Sequence, residues 1–184
     1  MREYKILGIC GSMRKDSLNQ KLLTAMSKKF PVNIKFEQSD LRNIPLYNED
    51  LEEDLPNAVR ALAEQVSSSD VVIICTPEYN SSIPGVLKNT LDWLSRAKVN
   101  TPLADKLVAI MGATPGMLGT IKAQLHLREV LFALNAELIR RPEVLIANAP
   151  SKFSETGELV DERANLVLDS LVIKIMDEIE KNNK

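Results

Sequence analysis

The chain has 184 residues, of which 45% are hydrophobic and 26% charged, and its formal net charge is −2. This composition predicts one globular domain over residues 1–184 and excludes a disordered or collagen-like chain, while the small net charge excludes the basic field of a nucleic-acid-binding protein. The longest strongly apolar runs, such as Val71–Cys75, have five residues, which is too short for membrane insertion.

Short strand-like runs alternate with amphipathic stretches along the chain. Strands are predicted at residues 4–9, 32–37, 71–75, 107–111 and 143–147. Apolar residues at one-turn spacing predict helices over residues 18–30, 56–67, 123–134 and 161–181, and one around Trp93. This alternation indicates an α/β fold with a doubly wound parallel sheet and helices on both faces. Ligands of such sheets bind beyond the carboxyl ends of the strands, so the loops after strands one, three and four form the candidate site.

The loop after the first strand carries groups suited to a phosphate. Residues 10–19 read CGSMRKDSLN, and the helix that begins there offers unpaired N–H groups and partial positive charge. Ser12, Ser17 and Asn19 can add hydrogen bonds, and Arg14 can add a charge-assisted one. Without a ligand, the same pattern would be a capping box between Ser17 and Gln20.

Spacing separates this loop from other phosphate-binding loops. No third glycine follows Gly8 and Gly11, so the dinucleotide fingerprint is absent, and the Gly-Lys-Ser/Thr of a P-loop is missing too. Three residues separate Cys10 from Arg14, fewer than a phosphatase-type cysteine loop requires. The sequence therefore argues against a phosphatase.

The loop after the third strand completes a second motif. Residues 76–96 read TPEYNSSIPGVLKNTLDWLSR, a rigid loop whose aromatic, amide and carboxylate groups suit a flat heteroaromatic ring. Taken together, the two loop motifs resemble those of the NADPH-dependent FMN reductase family, flavodoxin-like enzymes that include quinone and chromate reductases.

The resemblance implies a flavodoxin-like sheet of five strands in the order 2-1-3-4-5. It also implies an oxidoreductase that holds FMN, oxidises NADPH or NADH and reduces a small-molecule electron acceptor such as a quinone, chromate, an azo compound or a flavin. The flavin supplies the redox chemistry, so no catalytic side chain and no metal is expected. The residues assigned to FMN are Gly11, Ser12, Arg14, Ser17, Leu18 and Asn19 near the phosphate, and Pro77, Glu78, Tyr79, Asn80, Ser81 and Thr114 near the ring.

Two other functions stay open at this point: a flavodoxin-type electron carrier, which a net charge of −2 does not favour, and a phosphate-binding module without redox activity. Cys10 and Cys75 show no metal or CxxC spacing and are expected to be buried packing residues in a cytoplasmic protein. His126 is expected at the surface or at an interface. The family resemblance and the apolar helices around Trp93 and residues 125–131 predict a homodimer or homotetramer.

Overall fold

A parallel β-sheet between two helical layers forms the protein, which we describe from a computed structural model over residues 3–181. Residues 1–2 and 182–184 of the predicted domain lie outside this range. The strands are β1 (Tyr4–Cys10), β2 (Ile34–Gln38), β3 (Val71–Cys75), β4 (Leu107–Ala113), β5 (Glu137–Leu138) and β6 (Val144–Ile146). The helices are α1 (Leu18–Ser27), α2 (Asn57–Ser68), α3 (Gly85–Leu94), α4 (Ile121–Ala133) and α5 (Glu162–Lys181).

The sheet has the predicted flavodoxin-like order, β2-β1-β3-β4-β5, and its strand pairs are parallel. The strand count differs from the prediction, because β6 also pairs with β4 and makes the sheet six-stranded. Strand β5 pairs with the start of β4, at Leu107 and Val108, and β6 pairs with its end. Pro142 lies between the two short strands, and its lack of an N–H group interrupts the ladder at this position.

The first helix is shorter than its apolar spacing predicts. It ends at Ser27 rather than at residue 30. Pro31 follows Phe30 directly, and the residue before a proline disfavours the helical region of backbone angles. The local steric rule therefore overrides the apolar periodicity here.

Each face of the sheet carries its own hydrophobic core. Alternate residues of β3 supply the two sides, Val71 and Ile73 to one core and Val72 and Ile74 to the other. The first core is completed by α1 and α5, and the second by α2, α3 and α4. All five residues of β3 are buried, as expected of a central strand that is covered on both faces.

The segment between β2 and α2 covers the outer side of α3. The Trp93 indole donates a hydrogen bond from Nε1 to the carbonyl oxygen of Pro45 at 2.9 Å, and its ring meets the edge of Tyr47 with centroids 5.0 Å apart. Trp93 and Leu94 are fully buried within the chain. Residues of the same chain therefore cover Trp93 and Leu94, which belong to the core and leave no apolar surface at this point for a second copy of the chain.

No helix within residues 3–181 combines the length and the apolar character needed to cross a membrane.

Candidate functional site

The carboxyl ends of β1, β3 and β4 lie side by side, and the loops that follow them enclose a pocket. Its enclosed part has a volume of about 70 Å³, and exposed Arg14, Tyr79 and Pro115 leave its rim open to solvent. Nine of the twelve predicted site residues line it, while Gly11, Asn80 and Ser81 do not. The full lining is Ser12, Arg14, Ser17, Leu18, Asn19, Pro77, Glu78, Tyr79, Ala113, Thr114 and Pro115.

Two lining residues, Ala113 and Pro115, were missed by the sequence analysis. Both flank Thr114 in the chain. Their position could have been predicted, because the loop after the fourth strand was part of the candidate site and the residues next to Thr114 must lie close to the pocket. Thr114 was expected near the ring from the family resemblance, which carried no expectation for its two neighbours.

The start of α1 faces this pocket. Ser17 is 2% exposed, and its Oγ accepts a hydrogen bond from the N–H of Gln20 at 3.2 Å. The reciprocal half of a capping box is missing, because the Gln20 side chain donates from Nε2 to Gln38 Oε1 instead. The N–H groups of Leu18 and Asn19 belong to the first turn, where no intrahelical acceptor exists. No acidic residue stands in that turn, so the charge of the helix end favours an anion.

The side chain of Asn19 joins the first loop to the third. It is 3% exposed; its Nδ2 donates to the carbonyl oxygen of Ala113 and its Oδ1 accepts from the Ala113 N–H, both at 2.9 Å. The thiol of Cys75 also donates to Oδ1 at 3.4 Å. These bonds engage both polar atoms of the amide, so the Asn19 side chain positions the loops, and its backbone N–H in the first turn is the polar group left for a ligand.

The charged residues of the first loop leave a net positive rim. Asp16 forms an ion pair with Lys21, and the hydrogen bond from Lys21 lowers the pKa of the Asp16 carboxyl. That carboxylate is therefore offset by a neighbour within the chain. Arg14, exposed beside Ser12, adds a cation at the edge of the pocket.

The loop after β3 contains a two-residue hairpin between Tyr79 and Ser82. The two residues exchange backbone hydrogen bonds of 3.0 Å, and the residues between them, Asn80 and Ser81, have φ angles of 50° and 61°. Positive φ at both positions defines a type I′ turn, for which Asn-Gly is the preferred pair. Ser81 therefore occupies a position that favours glycine.

Helix α4 holds the tip of this hairpin. Lys122 donates from Nζ to Ser81 Oγ at 3.2 Å, and His126 Nδ1 lies 3.0 Å from Ser82 Oγ. His126 is exposed on the helix surface, as predicted. The hairpin beside the pocket is thus attached by side chains to the helix that follows β4.

Glu78 caps the same helix. Its Oε2 accepts hydrogen bonds from the N–H groups of Lys122 at 2.9 Å and Ala123 at 3.1 Å. A carboxylate at a helix N-terminus satisfies unpaired donors and complements the helix dipole. Glu78 lines the pocket, and its carboxylate ties the loop after β3 to the start of α4.

The two cysteines face each other on neighbouring strands. Cys10 and Cys75 are register partners in β1 and β3, and both are buried free thiols. Burial raises the pKa of each thiol, and that of Cys75 rises well above its usual value. Neutral buried thiols are poor nucleophiles, so these residues behave as packing groups, as expected.

The pocket residues fit a ligand that has a phosphate at one end and a flat ring at the other. Hydroxyl, guanidinium and first-turn N–H groups gather at the start of α1, and all of these are hydrogen-bond donors to phosphate oxygens. Pro77, Tyr79, Thr114 and Pro115 provide compact walls on the other side. The donor set therefore suits the phosphate of FMN, and the walls suit one part of its flat ring.

Comparison with known proteins also indicates a flavin-dependent reductase. The family model described as NADPH-dependent FMN reductase matches residues 4–151. The chain is 41% identical over 163 residues to an NAD(P)H-dependent FMN reductase of Pseudomonas aeruginosa, covering 88% of each protein. It is 39% identical over 164 residues to a quinone reductase of Escherichia coli K12, covering 87% of each. Among solved structures, the flavoenzyme FerB of Paracoccus denitrificans, an NAD(P)H:(acceptor) oxidoreductase, superimposes with a TM-score of 0.89 at 33% identity, covering 97% of this chain and 98% of FerB.

Proposed function

The chain belongs to the NADPH-dependent FMN reductase family, and from this premise we propose that it binds FMN in the pocket at the start of α1 and uses NADPH or NADH to reduce a quinone or a similar small acceptor. One observation carries the proposal. The loops after β1, β3 and β4 bring nine residues expected for FMN into one cavity, at the edge where parallel sheets bind their ligands.

The phosphate of FMN would be held by the first loop. Ser12 and Ser17 would donate hydroxyl hydrogen bonds, Arg14 a charge-assisted one, and Leu18 and Asn19 their backbone N–H groups. The Asn19 side chain would keep the loop in place through its bonds to Ala113.

The ring would lie between the loops after β3 and β4. Pro77 and Thr114 would form its walls, and Tyr79, Asn80 and Ser81 its solvent-facing edge. Gly11 would allow the close approach of the loops, because a Cβ at this position would lie 3.3 Å from Leu87 and 3.4 Å from Pro77. When bound, FMN supplies the hydride chemistry, and the protein supplies binding and orientation.

The pocket opens to solvent along one rim, which runs past Tyr79 and Pro115. A nucleotide and an acceptor that enter by the same opening would exclude each other, so we expect ping-pong kinetics. Initial rates against NADPH at several quinone concentrations should give parallel double-reciprocal lines. Intersecting lines would overturn the shared opening, and absence of both flavin absorbance and NAD(P)H turnover would overturn the proposed function.

The proposal includes a cytoplasmic location. Cys10 and Cys75 are register partners without a disulfide between them. Such neighbouring free thiols are typical of reducing compartments. Fractionation of cells that produce the protein would check this, with enrichment in the periplasmic or extracellular fraction as the contrary result.

A further inference from the structure

A second cavity lies on the other side of the loop that follows β1. It has a volume of about 370 Å³, within the usual range for small-molecule pockets of about 300–1,000 Å³. One wall comes from residues 12–15 and the other from the end of β2 and residues 39–42. Ser12 and Arg14 line both this cavity and the pocket, so the two adjoin at the loop. We call this second cavity the β2-side cleft.

The charge of the β2-side cleft differs from that of the whole chain. The chain is slightly acidic, with a net charge of −2, whereas the cleft is lined by Arg14, Lys15 and Arg42 against the single carboxylate of Asp40. With Arg14 assigned to the phosphate of FMN, Lys15 and Arg42 against Asp40 still leave an excess of positive charge. Such an excess in a concave site attracts a phosphate group.

Arg42 is held in place by its acidic neighbour. Its Nε and Nη2 donate to the two carboxylate oxygens of Asp40 at 2.9 and 2.8 Å, an arrangement that leaves Nη1 outside the pair. The hydrogen bonds from Arg42 lower the pKa of Asp40, so the pair stays ionised. The guanidinium is thus oriented before any ligand arrives, which reduces the entropy lost when it binds a phosphate.

The remaining surfaces of the cleft suit a nucleoside. Gln20 and Gln38 share one hydrogen bond, from Nε2 to Oε1, which leaves one amide acceptor and one amide donor for a heterocyclic edge. Met13, 52% exposed, and buried Leu41 add apolar surface. A volume of about 370 Å³ also exceeds what a phosphate group fills by itself.

Sheet order places the two cavities in a row. The order β2-β1-β3-β4 sets the β2-side cleft, the first loop and the ring walls side by side along the carboxyl edge. A dinucleotide that contains flavin has its flavin ring, its first phosphate and its adenosine phosphate in that order, which matches the order of the ring walls, the first loop and the β2-side cleft. The adenosine phosphate of NADPH is a second source of the same chemical group.

We propose that the β2-side cleft binds the adenosine phosphate end of a dinucleotide, with Arg42 and Lys15 as its phosphate ligands. This inference rests on the proposed function, because the phosphate of FMN is taken to occupy the first loop. The cleft would then contribute affinity that FMN itself cannot use.

The first test uses protein saturated with FMN and titrated calorimetrically with adenosine 2′,5′-bisphosphate. We expect saturable binding that weakens with salt and that Arg42→Gln and Lys15→Gln each reduce about tenfold, the effect of losing one charge-assisted hydrogen bond. Arg140→Gln, which changes an exposed arginine outside the cleft lining, is the matched control and should leave binding unchanged.

The second test compares FAD with FMN on flavin-free protein by fluorescence titration. If the adenosine phosphate that binds the cleft belongs to FAD, then FAD should bind about tenfold more tightly than FMN, and Arg42→Gln should remove that difference in affinity. If FAD has no advantage while the bisphosphate binds as expected, the cleft serves NADPH. Absence of both effects, or equal effects in Arg140→Gln, would overturn the inference. The FMN affinity of the wild type, measured in the same series, tests the proposed function separately.

Discussion

Arg14 lies at the rim of the pocket with an exposed side chain. We expect Arg14→Ala to weaken FMN binding about tenfold, or about 1.4 kcal/mol, near the lower end for a hydrogen bond from a charged donor because solvent screens the site. Quenching of flavin fluorescence measures this change. Riboflavin, which lacks the phosphate, is the control, and its affinity should not change. Equal affinity of the wild type for riboflavin and FMN would contradict the phosphate assignment.

Asn19 provides a stability test at the same scale. Asn19→Ala removes the two hydrogen bonds to Ala113 and leaves a buried N–H and a buried carbonyl without their partner. We expect the free energy of unfolding in urea to fall by about 2–4 kcal/mol, since each unsatisfied buried group costs about 1–3 kcal/mol. Asn57→Ala, on the exposed start of α2, should cost less than about 0.5 kcal/mol. Similar losses in both variants would argue against the proposed positioning role.

The buried thiols make stability depend on alkaline pH. The folded protein keeps Cys10 and Cys75 protonated because burial raises the pKa of each. Above about pH 8.5 the unfolded chain releases these protons, so the free energy of unfolding falls as the pH rises, by up to about 1.4 kcal/mol per pH unit for each thiol. The double variant Cys10→Ser, Cys75→Ser should show a shallower fall between pH 8 and 10 in urea titrations.

The same double variant checks the role assigned to the thiols. Its stability should drop at every pH, because two hydroxyl groups replace apolar sulfur in the core. Its turnover number with FMN bound should stay close to that of the wild type, because the flavin carries the electrons. A folded, FMN-bound variant without turnover would show that a thiol takes part in the reaction.

Residue types predicted which side chains line the pocket better than they predicted the contacts that each side chain makes. Ser12, Arg14 and Ser17 were recognisable from the local motif alone. The bonds of Asn19 to Ala113 and of Glu78 to Lys122 and Ala123 join residues 94, 44 and 45 positions apart. Local sequence carries no signal for such contacts, because they exist only once the sheet has brought the loops together.

At the scale of elements, the hairpin beside the pocket offers a prediction. Ser81 has a φ of 61°, a conformation that costs a non-glycine residue about 1 kcal/mol. Ser81→Gly should therefore raise the free energy of unfolding by about 0.5–1 kcal/mol, less the hydrogen bond from Lys122. Thermal and urea unfolding measure the change.

A second variant separates these two contributions. Lys122→Met removes the same hydrogen bond without changing the turn. We expect its free energy of unfolding to fall by about 0.5 kcal/mol or less, as for an exposed contact. Adding this loss to the change measured for Ser81→Gly gives the contribution of the backbone conformation. A Ser81→Gly protein less stable than Lys122→Met would contradict the conformational argument.

Strands with apolar residues toward both helical layers were the easiest elements to predict. β1, β3 and β4 start at their predicted residues. β3 and β4 are buried throughout, and β1 is buried from Ile6 onward, so each contains an apolar run of at least five residues covered on both faces. The strand predicted at residues 143–147 corresponds to β6, whereas β5 was not predicted. Strands of two and three residues form through pairing with β4 rather than through their own pattern, so the sequence holds little evidence of them.

At the scale of the whole molecule, the outer face of α4 is an exposed apolar surface that a second copy of the chain could cover. Trp93 is covered by its own chain, but Leu125 is 51% and Phe132 83% exposed on one face of α4. We propose that copies of the chain pair through this face into a homodimer, or a homotetramer built from such pairs.

A charged substitution tests that pairing. Phe132→Lys should lower the mass measured by light scattering toward the 20.5 kDa of one chain, because burying an unpaired ammonium at an interface is strongly unfavourable. Val160→Lys, at an apolar residue that is 60% exposed elsewhere, should leave the mass unchanged. A wild-type mass of one chain at micromolar concentration would rule out the assembly.

The two short strands beside β4, β5 and β6, also affect how readily the protein can aggregate. A long, regular outer strand is a template onto which strands of other molecules can add, the first step toward fibrils. Here one border consists of two short pieces separated by Pro142, and the other, β2, carries Lys35 and Glu37. Proline and charge both discourage such addition. Both borders therefore disfavour the addition of strands from other molecules, β5 and β6 by interruption and β2 by charge, and crowded solutions of the protein should remain free of fibres.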